Sequence, residues 1–456
     1  MSSIRREASA QLRLAIPLAA QQLGFVIMGL VDAAILGRYH PDALAGAGIG
    51  NSLLFALTCF GLGVLLGLDP LLAQAIGAGE RWRTPRLVAD GVAVAIRLGA
   101  ALSLTLMAMP LLLDVAGVEP SIAREAEVFL YARIPGVLPF LLQIAYRGAL
   151  QAHGRTAPLV LAVIVGNIVN AALDLVLIFG VPSLGIPAFG SIGAAIATSV
   201  VGIGTTIYFA AEVRAVARGL PPPPPLRQAQ GGRADAPSAI RDLLRVGVPI
   251  GLQLAAEVGA FALASILAGR LGKIPAAAHH IALQLASTSF AIALGLGATA
   301  AVRVGLAVGA GDHRAARRAG LISLGLGAAV MASSALIFVL APGPLAALFG
   351  TNAEVLAATI PLMQLAALFQ LSDGAQAISA GALRGAGDTR AAFIANLGGH
   401  YLVGVPLAIG LGFGLHLGAP GLWWGLTAGL TVTALALVAR FGWLTARPIA
   451  RVEESL

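Results

Sequence analysis

The stretch VPIGLQLAAEVGAFALASILAGRLG, residues Val248–Gly272, decides the fold class of this chain. Arg245 and Arg270 bracket 24 residues in which Glu257 is the only charged side chain. A helix of that length measures roughly 36 Å, which is enough to cross a bilayer with some tilt. Glu257 falls near the middle, where an ionised carboxylate costs about 3 kcal/mol. The stretch predicts a transmembrane helix whose acid either binds a cation or a proton or only faces a polar gap between helices.

The composition is that of a polytopic membrane protein. Of the 456 residues, 58% are hydrophobic and 11% are charged, whereas soluble proteins carry about 25% charged residues. The mean hydropathy is +0.88. Apolar runs alternate with turn and breaker residues along the chain, which predicts an all-α protein with twelve transmembrane helices. The predicted spans are 14–36, 46–76, 89–113, 124–149, 158–180, 190–213, 246–270, 277–308, 319–341, 354–380, 391–413 and 420–440.

Basic residues are distributed unevenly between the loops. Alternate loops and the two chain ends hold 23 of the 28 arginines, while the opposite loops hold Arg38, Arg270 and Lys273. Because arginine-rich loops stay in the cytoplasm, we expect both termini there, in a multi-pass protein of the bacterial cytoplasmic (inner) membrane. Topology and contact with anionic lipid account for the net charge of +8. No nucleic-acid partner is expected.

Residues 214–245 differ from everything around them, because they contain ARGLPPPPPLRQAQGGRADAPS. A proline run followed by polar, Gly-rich sequence is typical of a linker. We interpret it as a cytoplasmic linker between an amino-terminal six-helix lobe, residues 1–213, and a carboxy-terminal six-helix lobe, residues 246–456. Binding of a partner module by the proline run stays open as an alternative.

The two predicted lobes repeat each other in sequence. Ile16-Pro17 corresponds to Val248-Pro249, with the proline identical. GAGE at 77–80 corresponds to GAGD at 309–312. Both pairs are separated by 232 residues. Each half contains six spans, an even number, so the repeats are parallel and related by an axis along the membrane normal. A cavity between two six-helix bundles is expected.

Acidic residues inside the spans are the candidate functional groups. Five acids lie at least four residues from either end of a predicted span: Asp32, Asp69, Asp174, Glu257 and Asp373. In the other half, the positions equivalent to Asp32, Glu257 and Asp373 hold alanine or phenylalanine. These acids are therefore not a scaffold feature repeated in both halves. Asn170 lies four residues before Asp174, on the same helix face. Two carboxylates in a low-dielectric site repel each other, and a proton, Na⁺ or a lipophilic cation relieves that repulsion.

Four sequence motifs carry a resemblance to a known family. They are VDAAILGR at 31–38, NIVNAALDLVLIFG at 167–180, GVPIGLQLAAEVGAF at 247–261 and QLSDGAQAISAGALRGAGDTR at 370–390. On these motifs the chain resembles the multidrug and toxic compound extrusion (MATE) family, nearest its NorM-type branch, over essentially its full length. The resemblance implies twelve helices in two lobes around a V-shaped cavity, and antiport of organic cations against Na⁺ or H⁺.

The resemblance also implies roles for single residues. Asp32 resembles the amino-lobe acid, with Asn170 and Asp174 as its polar neighbours. Glu257 and Asp373 resemble the cation pair of the carboxy lobe, a candidate Na⁺ site. Candidates for lining the substrate cavity are Phe369, Gln370, Gln253, Gln284 and Phe261. Relatives often have tyrosine where Phe369 stands, and phenylalanine keeps a ring face for a cation–π contact but lacks the hydroxyl.

These expectations define a transport protein and not an enzyme. We expect small organic cations as substrates, Na⁺ or H⁺ as the coupling ion, no cofactor, no other metal, and a monomer in the bilayer. An intramembrane aspartyl protease would need a GxGD motif, and Leu371-Ser372 precede Asp373 here. A lipid-linked oligosaccharide flippase on a related fold lines its cavity with basic residues, whereas this chain offers acids. A passive channel would not accumulate substrate, and without GxxxxGK[ST] no use of ATP is expected.

Overall fold

The computed structural model describes residues 2–115, 117–222, 239–350 and 352–454, and nearly all of them are helical. Within these ranges, twelve helical segments are long and apolar enough to cross a membrane. The prediction of an all-α protein with twelve transmembrane helices is therefore confirmed.

The helices fall into two consecutive sets. Those of the amino-terminal half are α1 (Ser2–Tyr39), α2 (Pro41–Leu66), α3 (Leu68–Gly77), α4 (Thr84–Ala108), α5 (Leu111–Val115), α6 (Pro120–Ala152), α7 (Ala157–Phe179) and α8 (Ser191–Arg218). Those of the carboxy-terminal half are α9 (Ile240–Arg270), α10 (Lys273–Gly309), α11 (His313–Leu340), α12 (Pro342–Ala347), α13 (Ala353–Ala386), α14 (Thr389–Leu397), α15 (Val405–Ile409) and α16 (Gly418–Leu444). The second span combines α2 with α3, and the eleventh combines α14 with α15.

Two predicted breaks between spans differ from the structure. The break between the predicted spans 14–36 and 46–76 narrows to His40, whose Nδ1 accepts a hydrogen bond from the Asp42 amide at 3.2 Å and caps α2. Pro41 can open that helix because its first position needs no amide donor. The break between the predicted spans 319–341 and 354–380 contains the short helix α12.

The predicted linker, residues 214–245, is helical at both of its ends. The structure continues α8 to Arg218 and begins α9 at Ile240. Residues 223–238, which include most of the proline run, lie outside the described residues.

The internal repeat is visible in the helix boundaries. The α2–α3 segment runs from residue 41 to 77 and α10 runs from 273 to 309, so both ends differ by 232 residues. The glycines that follow also correspond, because Gly79 and Gly311 both have positive φ, at 81° and 73°. Only glycine adopts that conformation without strain. The sequence repeat therefore encodes a repeated helix-ending turn.

Packing divides the described chain into two compact units. The amino lobe comprises residues 23–251, and the carboxy lobe comprises residues 1–22 together with 252–456. The first turns of α1 thus belong to the carboxy lobe, and the first turns of α9 belong to the amino lobe. The boundaries at 213 and 246 were predicted for the two sequence repeats and not for these packing units, so they stay a prediction.

Specific contacts hold each exchanged segment in its lobe. In the carboxy lobe, Gln11 donates to the Ala319 carbonyl at 2.8 Å and accepts from the Ser323 hydroxyl at 3.0 Å. In the amino lobe, glycines at 67 and 247 let the α2–α3 junction and α9 approach backbone to backbone, as small residues do between membrane helices.

The eleventh span is not a regular α-helix. Between α14 and α15 the backbone takes π-helical turns at Gly398–Gly404, and it does so again at Gly410–Gly414. The segment is rich in glycine and contains Pro406, which cannot donate to the helical ladder. π-Turns of this kind occur frequently at functional sites.

Candidate functional site

Glu257 lies on α9 in the interior of the carboxy lobe, with 8% of its surface exposed. Its Oε2 accepts hydrogen bonds from the side-chain amides of Gln376 at 3.1 Å and Asn396 at 3.2 Å. Gln376 comes from α13, and Asn396 comes from α14 just before the first π-helical turn. Three helices therefore converge on one carboxylate.

Asp373 lies on α13, three residues before Gln376, and has 5% of its surface exposed. Residues three apart on a helix share a face. Asp373 therefore points to the same side of α13 as Gln376, which is hydrogen-bonded to Glu257. The charge of Glu257 acts electrostatically on Asp373. The carboxy lobe thus buries two interacting acids.

Two amide oxygens beside Glu257 have no hydrogen-bond partner among the described residues. They are Gln376 Oε1 and Asn396 Oδ1, both buried. Each amide donates an N–H hydrogen bond to Glu257. Rotation of the amide group would turn its oxygen toward Glu257 instead. Na⁺ is a hard cation that prefers oxygen ligands, as Ca²⁺ and Mg²⁺ do. The cluster therefore offers carboxylate and amide oxygens that fit a cation.

Aromatic rings lie one turn from Asp373. The Phe369 ring makes edge contacts with Phe261, centroid to centroid 6.0 Å, and with Trp423 at 5.4 Å. Phe261 also contacts the ring of His400, which lies in the first π-helical turn, at 6.2 Å. Phe369 and Trp423 are fully buried, so this layer closes one side of the acid pair.

The glutamines proposed for the cavity have different surroundings. Gln370 is buried, and its Oε1 accepts hydrogen bonds from Ser289 at 2.8 Å and Ser334 at 2.6 Å. Its Nε2 is buried without a partner among the described residues. Gln253 is buried one turn before Glu257, and Gln284 on α10 is half-buried.

The amino lobe has a second polar cluster. Asn170 on α7 donates to Asp32 Oδ1 on α1 and, at 2.9 Å, to Asp174 Oδ2. The Thr198 hydroxyl on α8 donates to Asp32 Oδ2 at 3.4 Å. Asn170 and Asp174 are fully buried, whereas Asp32 is half-buried. The structure thus unites the three predicted residues around one bridging amide.

Arg133 on α6 is a member of this cluster that we did not single out from the sequence. Its guanidinium acts electrostatically on Asp32. Its Nε is buried with no hydrogen-bond partner among the described residues. Its neighbour on α6, Gly136, packs against Ser199 of α8, next to Thr198. The sequence did contain a signal for it, because Arg133 lies within the predicted span 124–149 and not in a loop.

Asn396, Thr198 and the aromatic partner Trp423 were also missed by sequence reasoning. Asn396 and Thr198 are uncharged, so placing them inside a membrane span costs less free energy than placing a charge there. For the same reason they are not conspicuous in the sequence. Gln376 was visible as a polar neighbour of Asp373, but nothing in the spacing tied it to Glu257.

Comparison with known proteins identifies the family. The family model MatE matches residues 17–176 and 249–409. The chain belongs to the MatE family. The predicted resemblance to the MATE family is therefore confirmed.

Individual MatE relatives match over nearly their whole length. The chain is 37% identical to a "Probable multidrug resistance protein NorM" of Pseudomonas putida, covering 96% of this chain and 94% of that protein. It is 38% identical to a protein of the same name from Bradyrhizobium diazoefficiens, covering 96% and 93%. They confirm the predicted NorM-type branch. The relatives are bacterial, and the described residues of the chain include twelve segments able to span a membrane, so it is a multi-pass inner-membrane protein.

Solved structures of other transporters share the fold. The eukaryotic MATE transporter AtDTX14 superimposes with a TM-score of 0.85 at 23% identity, covering 96% of each chain. A MOP superfamily transporter from Pyrococcus furiosus, whose structure was described as having a binding pocket of reverse polarity, superimposes with a TM-score of 0.83 at 20% identity, covering 96% of each chain. The chain is a transport protein and not an enzyme.

Proposed function

We propose that the protein is a multidrug efflux transporter that exchanges organic, mostly cationic compounds for Na⁺ or H⁺ by alternating access. The proposal of multidrug efflux draws on the names of its relatives, which match over nearly the full chain. The proposal of cation exchange draws on the polar clusters inside the two lobes.

The buried pair Glu257 and Asp373 carries the proposal. Removing two carboxylates from water is costly, and their mutual repulsion in a low-dielectric interior adds to that cost. A bound Na⁺ or proton offsets both terms. The free amide oxygens of Gln376 and Asn396 would complete the coordination of Na⁺, and no such ligands are needed for a proton.

Exchange follows when substrate and coupling ion compete for the same negative field. An organic cation near Asp373 would be attracted by the carboxylates and by the ring face of Phe261, which is half-buried, whereas Phe369 is fully buried behind it. Binding of Na⁺ or H⁺ neutralises the carboxylates and weakens that attraction, so the substrate leaves. Transport against a gradient then requires that each site opens to one side of the membrane at a time.

The amino-lobe cluster would be a second ion site of different character. Asp32 and Asp174 share the Asn170 amide, and Arg133 supplies a fixed positive charge nearby. A fixed cation lowers the gain from binding a mobile one. We assign coupling in this lobe to Asp32, with Asn170 and Asp174 as partners, because Asp32 is half-buried whereas Asp174 is fully buried.

Two rival transport functions fit the described residues less well. A lipid-linked oligosaccharide flippase would need cations to hold pyrophosphate, whereas the two clusters contain four acids and Arg133. A passive channel needs no acids buried in pairs inside each lobe. The aspartyl protease is ruled out because the chain is a transport protein.

Reconstituted transport tests the proposal. Purified protein in liposomes is given a fluorescent organic cation, and an inward or outward gradient of Na⁺ or of H⁺ is imposed alone. We expect uphill movement of the cation with at least one of the two gradients. Movement only down the dye's own gradient would indicate a channel, and no gradient-dependent movement would refute antiport.

A further inference from the structure

An open cavity of about 590 Å³ lies at the end of the carboxy lobe that carries the amino terminus of the chain. The start of α1, the start of α11 and the residues after α16 form its walls. We call it the basic pocket, and its characteristic lining residues are Ile4, His313, Arg314, Arg317, Arg318 and Leu321.

Three arginines make the pocket strongly positive. Arg314, Arg317 and Arg318 are spaced three and four residues apart, so they share one face of α11, and all three are exposed. Among the described residues that line the pocket, none is acidic. Of the ion pairs among the described residues, none includes Arg314 or Arg317. The adjacent acid, Glu7, acts on Arg318 but is bonded to Arg303 and Gln11.

The arginines stand at the positive end of a helix dipole. α11 begins at His313, so the three side chains lie in its first two turns, where an anion is stabilised and a cation is not. Asp312, which caps α11 by accepting a hydrogen bond from the Ala315 amide, and Glu7, which acts on Arg318, offset only part of this positive charge. Guanidinium groups bind phosphate oxygens in pairs of parallel hydrogen bonds.

A nearby tryptophan marks the depth of the pocket relative to the bilayer. Trp443 is 52% exposed, and the guanidinium carbons of Arg440 and Arg447 lie 4.6 and 5.2 Å from its ring centroid. Exposed tryptophans gather at the headgroup level of membranes. Because Thr445 and Ala446 of the pocket follow directly, the arginines lie at headgroup level as well.

Below the arginines, the exposed face of α11 is apolar and shallow. Leu321, one turn after Arg317, is half exposed. Gly325 follows one turn later with open space where a side chain would be, and Ala329 and Ala332 are exposed beyond it. An acyl chain could lie along this face, which a soluble anion would leave unused.

We propose that the basic pocket binds an anionic phospholipid, with its phosphate on the arginines of α11 and one acyl chain along the exposed face of that helix. The bound headgroup bridges α1, α11 and the end of α16, so it stabilises the carboxy lobe. Under the positive-inside topology, this lipid belongs to the cytoplasmic leaflet, which is rich in anionic lipid. The proposal does not depend on the transported substrate.

Thermal unfolding in detergent tests the proposal with defined probes. The purified full-length protein is titrated with phosphatidylglycerol, with phosphatidylcholine, or with glycerol phosphate. We expect phosphatidylglycerol alone to raise the unfolding temperature, and high salt to weaken its effect. An equal effect of glycerol phosphate would show a soluble anion site and overturn the proposal, as would an equal effect of phosphatidylcholine.

Variants locate the effect. The triple variant Arg314→Gln, Arg317→Gln, Arg318→Gln should lose at least about tenfold in apparent affinity for phosphatidylglycerol. The matched control removes three exposed arginines from the other lobe, Arg86, Arg214 and Arg218, and should respond as the wild type does. Equal losses in both triple variants, or no loss in the first, would overturn the proposal.

Single variants cover the case in which the triple variant does not fold. Arg314→Gln and Arg317→Gln break no ion pair of the described residues and should each weaken phosphatidylglycerol binding by about fivefold. Wild-type affinity in both single variants would contradict the proposed site.

Discussion

At the scale of single residues, the amino lobe depends on one amide between two carboxylates. Asn170 donates to Asp32 and Asp174 at once, so each aspartate is held in place whether or not it carries a proton. We predict that Asp32→Asn abolishes transport while the protein folds and reaches the membrane. Asparagine keeps the shape but cannot gain and lose a proton, and burying an amide costs less than burying a charge. Efflux by Asp32→Asn at the wild-type rate would refute the coupling role.

Arg133 should limit the affinity of the amino lobe for mobile cations. Its charge acts on Asp32, and a charge pair separated by several ångströms in a protein interior is worth roughly 1–2 kcal/mol. We predict that Arg133→Gln raises the affinity for a monovalent organic cation by about tenfold, measured by fluorescence anisotropy in detergent. Arg97→Gln is the control, because Arg97 lies in a span of the same lobe but is exposed. Unchanged or weakened binding in Arg133→Gln would contradict this role.

At the scale of helices, the carboxy-lobe acids depend on close packing of α10 and α13. Gly381 on α13 faces the backbone of Gly297 on α10, leaving no room for a methyl group. We predict that Gly381→Ala lowers stability by about 1–3 kcal/mol, because the two backbones must separate. Gly325→Ala on α11 meets open space and should be neutral or stabilising. Thermal unfolding of the two variants compares them directly, and equal unfolding temperatures would contradict the packing.

The helices and their buried acids were predictable from the sequence because both signals are strong. A mid-span carboxylate such as Glu257 is expensive in a membrane and conspicuous in an apolar run. The repeat was readable from the glycines at 77–79 and 309–311, since the turns that end the helices need them. Each of these signals is local, so spacing alone reveals it.

The partners of the acids were less predictable because they depend on tertiary contacts. Asn396 reaches Glu257 only because the start of the eleventh span lies beside α9 in the folded lobe, and sequence spacing does not show that contact. Arg133 reaches Asp32 only because α6 packs on α8. The exchange of the first turns of α1 and α9 between lobes has no counterpart in composition or periodicity.

At the scale of the whole molecule, the distribution of arginines predicts that both termini are cytoplasmic. Ser183 lies exposed in the loop between α7 and α8, and Ala450 lies exposed after α16. Cysteine placed at Ser183 should react with a membrane-impermeant maleimide in intact cells, and cysteine at Ala450 should react only after permeabilisation. The native Cys59 is buried and should contribute little background. Labelling of both positions from the same side would contradict the predicted topology.

The central claim is that buried carboxylates in the lobes exchange a coupling ion for an organic cation. The most direct measurement is gradient-driven uptake of a fluorescent organic cation into proteoliposomes containing Glu257→Gln, with Glu127→Gln as the matched control outside both clusters. Because glutamine cannot bind Na⁺ as a charge or release a proton, we predict that Glu257→Gln loses at least about 90% of gradient-driven uptake, a barrier of roughly 1.4 kcal/mol or more. The control should transport at the wild-type rate, and both variants should unfold at similar temperatures. Wild-type gradient-driven uptake by folded Glu257→Gln would contradict the account.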